Sequence, residues 1–127
     1  MLKKISINKI SELVAALMGK GLLLAPVKEN SGYNFAEIKN PSQVDLDFHN
    51  TIASPKAAFF PHKEDFIKYE TGKPIDTASV VALNLPPTFL FGARPCDVKS
   101  FEIMDIHFNA SGIIDPYWKQ RREVTTI

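Results

Sequence analysis

Residues 89–97 are Phe89-Leu90-Phe91-Gly92-Ala93-Arg94-Pro95-Cys96-Asp97, and this stretch decides the predicted fold. Its apolar start is typical of a buried strand, and Asp97 lies where the N-cap of a following helix is expected. The apolar face of that helix would contain Val98, Phe101, Met104 and Phe108. In α/β proteins a site commonly forms where a strand ends and a helix begins. The candidate site residues are therefore Arg94, Cys96 and Asp97.

The composition is that of one ordinary globular domain. The 127 residues are 45% hydrophobic and 23% charged, enough for one core and too few for two. Fifteen Lys and Arg against fourteen Asp and Glu give a formal net charge of +1, which argues against nucleic acid or anionic membranes as partners. No apolar run approaches the roughly 20 residues of a membrane span, and polar residues interrupt any signal peptide. The sequence predicts a cytoplasmic protein without membrane insertion.

Complete catalytic signatures are absent from the sequence. The single cysteine cannot form an internal disulfide, and a zinc or iron–sulfur site would need further ligands from outside this chain. The three histidines, His49, His62 and His107, have no ligand partner at helical or hairpin spacing. No nucleophile triad, P-loop or dinucleotide fingerprint is evident either. We therefore expect no complete active site in these residues.

The first quarter of the chain predicts a helix and a β-hairpin. Residues 8–19 predict the helix, with Asn8 as its N-cap and Gly19 and Gly21 as left-handed positions for ending it. The apolar face contains Ile10, Leu13, Val14, Leu17 and Met18. The hairpin follows as strand, turn and strand at residues 22–27, 29–32 and 33–38.

The middle of the chain predicts little regular structure. Residues 39–56 are irregular, and residues 57–61 are a short apolar piece that a proline ends. Residues 63–69 predict about two helical turns. The candidates for burial on them are Phe66, Ile67 and Tyr69.

The last third predicts strands and helices that alternate. Residues 80–83 and 88–91 are strand candidates, and residues 97–108 form the second helix. Asp115-Pro116 begins a third helix, because aspartate is favoured at the N-cap and proline at the first helical position. Residues 124–127 are β-prone and would return parallel to 88–91 by a right-handed βαβ-like crossover. The predicted fold class is α/β, or α+β, with a mixed central sheet and packed helices in a single domain.

Two stretches, with the residues that continue the second, resemble a known family. One is Ser54-Pro55-Lys56-Ala57-Ala58-Phe59-Phe60-Pro61-His62-Lys63-Glu64, and the other is Phe91 to Asp97. The second continues through Asp105, Phe108, Asp115-Pro116-Tyr117 and Arg121-Arg122-Glu123. Together they resemble the N-terminal region of the iron–sulfur β subunits of soluble nickel–iron hydrogenases (sulfhydrogenases) and of the related iron–sulfur subunit of anaerobic sulfite reductases.

The resemblance implies an electron-transfer subunit of an oxidoreductase complex. In that family a cysteine-rich, ferredoxin-like part with [4Fe–4S] clusters follows this region, and electrons pass between a flavin-containing and a catalytic subunit. We expect residues 1–127 to be the N-terminal docking or scaffold domain, and the cysteine-rich part to begin past Ile127. The clusters would then lie in the full-length subunit, with a flavin in a partner subunit.

Each candidate site residue has alternative roles. Cys96 is a cluster ligand completed by cysteines from outside this chain, a thiol that faces a flavin or partner, or a small buried residue at the turn. Arg94 clamps a phosphate or carboxylate, or it forms a salt bridge to Asp97 or Asp105. Asp97 is expected to cap the helix whatever else it does.

The third helix also has two interpretations. Arg121 and Arg122 follow Tyr117 and Trp118, a set that is favoured at the centres of interfaces. Alternatively the arginines lie in solvent and the aromatic rings face the core. Besides the redox subunit domain, the sequence leaves open a structural or assembly module without a redox role, and a small anionic-ligand-binding domain that uses Arg94 as its anchor.

Overall fold

The computed structural model describes residues 4–66, 69–74, 82–112 and 114–127. Three α-helices and four strands form the framework, and short 3₁₀ turns fill several connections. The helices are α1 (Ile10–Met18), α2 (Pro95–Phe108) and α3 (Pro116–Val124). The strands are β1 (Leu22–Glu29), β2 (Gly32–Glu37), β3 (Thr88–Leu90) and β4 (Thr125–Thr126).

The four strands form one mixed sheet in the order β2-β1-β3-β4. β1 and β2 are the predicted antiparallel hairpin, with Glu29 opposite Gly32 at its closed end. β3 pairs in parallel with β1 on one side and with β4 on the other. These pairings confirm the predicted fold class and the return of the chain end beside β3; the handedness of the crossover stays a prediction.

Alternating side chains of β1 divide the core into two parts. Leu23 and Ala25 face α1 and pack with Val14 and Ile38. Leu24 points to the other face, where it contacts a cluster of aromatic residues. The buried members of that cluster are Phe59, Leu90, Phe101 and Trp118. Helices α2 and α3 therefore cover the face of the sheet opposite to α1.

The start and end of α1 differ from the prediction. Asn8 is not the N-cap, because residues Ile7–Lys9 form a 3₁₀ turn and the α-helix begins at Ile10. Gly19 ends the helix in the right-handed region, with φ −69°, so it is not a left-handed stop. Gly21 is instead required by space, because a Cβ there would lie 2.0 Å from the carbonyl oxygen of Pro87.

The helix predicted at residues 63–69 is wrong over residues 63–66, which are irregular. Contacts to α3 hold this segment extended: Tyr117 Oη donates to the Phe66 carbonyl at 2.8 Å, and Arg121 pairs with Glu64. The side chains of Phe66 and Tyr69 are exposed rather than buried. Ile67 lies outside the described residues.

The strand predicted at residues 80–83 is not confirmed. Residues 80 and 81 lie outside the described part of the chain, and Ala82 and Leu83 are irregular. The Leu83 N–H donates to Gln120 Oε1 at 2.8 Å, so a side chain replaces the neighbouring strand as its partner. Along the described residues, no helix combines the length and the apolar character that a membrane crossing requires.

Candidate functional site

The turn after β3 brings the candidate site residues together. The Phe91 N–H donates to the Leu24 carbonyl at 2.9 Å, which extends the contact between β1 and β3 by one bond. Gly92 then adopts φ +81°, a left-handed conformation that glycine takes without a steric penalty. Any Cβ at this position would also lie 3.1 Å from Cδ of Pro26. The chain therefore reverses within a few residues and enters α2.

Asp97 lies inside α2 and is not its N-cap. Arg94 is the N-cap, Pro95 occupies the first helical position and Asp97 the third. The Asp97 carboxylate reaches back to accept from the backbone N–H of Arg94 at 3.4 Å. The sequence prediction was wrong by three positions because proline is itself favoured at the start of a helix and moves the cap before it.

Arg94 and Asp97 form a salt bridge, as one of the sequence alternatives predicts. Arg94 Nε donates to Asp97 Oδ2 at 2.9 Å, and Nη2 donates to Oδ1 at 3.3 Å. Nη1 donates to the side chain of Asn50, and Ser54 Oγ donates to Asp97 Oδ1 at 3.2 Å. Since its three guanidinium nitrogens all have partners, the structure favours the salt bridge over a free anion clamp at Arg94.

The environment of this pair lowers the pKa of Asp97. Burial by itself would raise the pKa of the carboxyl group. Hydrogen bonds from Arg94 and its positive charge, together with the bond from Ser54, outweigh burial and hold the pKa below its usual value. The hydrogen bond to Asp97 likewise raises the pKa of Arg94. Both groups are therefore charged at neutral pH, and the turn is fixed by a local ion pair.

Cys96 is exposed, so its interpretation as a buried turn residue is wrong. It lies between Pro95 and the buried Asp97, and its side chain faces outward from the first turn of α2. No group of three or more potential metal ligands occurs among the described residues. A metal or cluster at Cys96 would accordingly need ligands from another part of a longer protein or from a partner.

The accessibility of Cys96 gives a simple prediction. Since the thiol is exposed, we expect Ellman's reagent to modify one thiol per native chain within about tenfold of the rate in the urea-unfolded chain. Absorbance of the released thionitrobenzoate measures both rates. A native rate more than about a hundredfold below the unfolded one would contradict the exposed position.

The two arginines of α3 do not lie in solvent as predicted. Arg121 is buried and pairs with Glu64, for which the sequence suggested no role. Arg122 Nε donates to Asp105 at 3.1 Å, and the indole N–H of Trp118 donates to the same carboxylate at 3.0 Å. The burial of Trp118 does agree with the amphipathic interpretation. Asp115 is the N-cap of α3, as predicted, and accepts from the Trp118 backbone N–H at 2.7 Å.

Sequence reasoning missed Asn50, Ser54 and a cavity of about 580 Å³ beside the site. Ser54 opens one of the two quoted motifs, so its position was a usable signal. Asn50 lies 44 positions before Arg94, and no local pattern relates the two residues. The cavity likewise depends on how separate segments pack on the sheet.

Comparison with known proteins gives one informative similarity. The chain is 30% identical over 104 residues to the Sulfhydrogenase 2 subunit beta of Pyrococcus furiosus. The match covers 81% of this chain and 29% of that protein, so the chain spans less than a third of the relative's length. No family model matches the chain, and no solved structure does. The chain therefore contains a hydrogenase-β-subunit-like region, which confirms the resemblance in that coarser form.

Proposed function

We propose that this chain is the N-terminal docking or scaffold domain of an iron–sulfur electron-transfer subunit in a hydrogenase-type or sulfite-reductase-type oxidoreductase complex. The similarity to a sulfhydrogenase β subunit over 81% of the chain carries this proposal. The [4Fe–4S] clusters belong to a cysteine-rich part of the full-length subunit. Its partners are the flavin-containing and the catalytic subunits of the complex.

The position of Cys96 supports a role at the boundary of this domain. The thiol is exposed, and the neighbouring ion pair between Arg94 and Asp97 fixes the backbone from which it projects. A cluster ligand must be held in a defined place, because the metal–sulfur geometry is specific. We assign Cys96 as one cluster ligand, with the remaining ligands from outside this chain, or as a residue that lines the electron route.

The outer face of α2 supports docking. Ile103 and Ile106 are 58% and 74% exposed and, at seven and ten positions after Cys96, lie on the same side of the helix. Lys99 and Glu102 form an exposed ion pair beside them. Apolar side chains with a polar rim are typical of protein interfaces. This face, defined by Cys96, Ile103 and Ile106, is the proposed docking face.

Replacing Cys96 with serine in the full-length subunit tests the ligand role. We expect a loss of iron equivalent to one cluster and of the corresponding electron paramagnetic resonance signal, because a hydroxyl is a poor substitute for a thiolate ligand. The control is Ile103→Ser with Ile106→Ser, which leaves the thiol in place and should weaken association with partner subunits while the iron content stays unchanged. Unchanged iron and electron transfer in Cys96→Ser would contradict the ligand role.

The internal satisfaction of the Arg94–Asp97 pair favours a second candidate, a structural or assembly module without a redox role. In that case the turn only shapes an interface. Cys96→Ser would then leave both iron and electron transfer intact, whereas the double serine variant would still weaken association. The two substitutions together separate the candidates.

A further inference from the structure

The largest apolar cavity lies on the face of the sheet that α2 and α3 cover only in part. Its volume is about 580 Å³, within the 300–1,000 Å³ range that is usual for small-molecule sites. Four strands supply its floor with Leu22, Leu24, Phe35, Thr88 and Thr125. Its walls include Pro55 and Ala58 on one side and Leu85 and Pro86 on the other. The cavity can therefore enclose a mainly apolar molecule.

A buried arginine lies at one end of this cavity. Arg121 is only 8% exposed, and it lines this cavity and two smaller ones of about 170 and 350 Å³. Glu64 lines both smaller cavities but not the large one. Within the part of the chain that the structure describes, Glu64 is the one side-chain partner of Arg121, which it contacts at Nη2. A guanidinium has five N–H donors, so most of them remain for a ligand.

The other polar side chains along the cavity are engaged or lie at its rim. Asn34 donates to Glu29 at 2.8 Å, and Thr88 and Thr125 donate to backbone carbonyls. Glu37 is exposed at the end of β2. The two rim carboxylates, Glu29 and Glu37, repel a multiply charged anion such as phosphate. The charge distribution thus favours a ligand with one acceptor group and an apolar body.

We propose that this cavity binds a small monocarboxylate with an apolar, preferably aromatic, body whose carboxylate accepts hydrogen bonds from Arg121. The apolar body would lie against Leu22, Leu24 and Phe35. Carboxylate and guanidinium form charge-assisted bonds that are strong in a site shielded from water. This site is separate from the Arg94 turn and does not depend on the proposed electron-transfer role.

Isothermal titration of the 127-residue chain with 2-naphthoate tests the proposal. We expect saturable binding of one molecule per chain, at least about tenfold tighter than the binding of 2-naphthalenemethanol, which has the same rings without the charge. Inorganic phosphate should not bind or compete. Absence of saturable naphthoate binding, or equal affinity for the alcohol, would overturn the assignment.

Variants locate the binding in this cavity. Leu22→Trp fills the floor, and Arg121→Gln with Glu64→Gln removes the cation without leaving a buried carboxylate unpaired. Both should weaken naphthoate binding at least about tenfold while circular dichroism shows a folded chain. Arg122→Gln is the matched control, because Arg122 is the adjacent arginine and does not line this cavity. Naphthoate affinity within twofold of the unmodified chain in either test variant would contradict the proposed site.

Discussion

Replacing Asp97 with alanine is expected to lower the free energy of unfolding by about 3 kcal/mol. The carboxylate is 4% exposed and accepts hydrogen bonds from Arg94 and Ser54. Its loss leaves the Arg94 guanidinium without its ion-pair partner and removes a bond at the start of α2. Urea unfolding measures the effect through the fluorescence of Trp118, the single tryptophan, which is buried against the same helix.

Asp47 provides the control for this substitution, because it is an aspartate that lies exposed on the surface. Asp47→Ala should change the free energy of unfolding by no more than about 0.5 kcal/mol. If the two alanine variants were equally stable, the buried ion pair would not contribute to the stability of the turn.

The contribution of Asp97 should also depend on pH. Its pKa in the folded chain lies below the value of about 3.9 that is usual for an unfolded chain. The stabilisation is therefore fully present above about pH 4 and is lost as the pH falls through the folded-state pKa. Asp97→Asn should be less stable than the unmodified chain at pH 7, and the difference should shrink below about pH 4. A difference that stayed constant down to pH 2 would contradict this linkage.

Replacing Gly21 with alanine is expected to cost a similar amount, about 3 kcal/mol. The added methyl group would lie 2.0 Å from the Pro87 carbonyl oxygen and 2.8 Å from its carbonyl carbon. That carbonyl accepts from the Leu22 N–H at 2.8 Å, so the clash falls where β1 meets the start of β3. The strands must separate to relieve it, because neither contact is with a flexible side chain. Urea and thermal unfolding measure the loss.

Gly19 gives a matched comparison two residues earlier. Its φ is −69° and the nearest atom to an added Cβ would be 3.6 Å away, which is ordinary contact. Gly19→Ala should leave stability unchanged or raise it by up to about 1 kcal/mol, since alanine reduces the entropy of the unfolded chain. Equal destabilisation by both substitutions would indicate that the close contact at Pro87 is not what requires Gly21.

Much of the fold was predictable because it depends on local patterns. Period-two alternation around a short polar turn identified the β1–β2 hairpin, and Asp115-Pro116 identified the start of α3. The apolar run before Gly92 identified β3, and the β-prone residues 124–127 identified the strand that pairs with it. In each case neighbouring residues provide the geometry, so a single sequence contains the information.

Predictions failed where distant partners compete with local preference. Residues 63–66 have a helical pattern, yet Tyr117 and Arg121 from α3 hold them extended. Leu83 is β-prone, but its N–H binds Gln120 instead of a neighbouring strand. These partners lie tens of positions away, and no periodicity in the sequence indicates them.

The sequence by itself determined the mixed sheet, the helices on it and the resemblance to hydrogenase β subunits, because apolar periodicity, turn residues and short motifs are local. It also brought Arg94, Cys96 and Asp97 into one turn. Only the tertiary structure decided that Asp97 is buried and paired, that Cys96 is exposed, and that Arg121 lies beside an apolar cavity. Burial depends on which surfaces cover a residue, and those surfaces come from segments far apart in the chain.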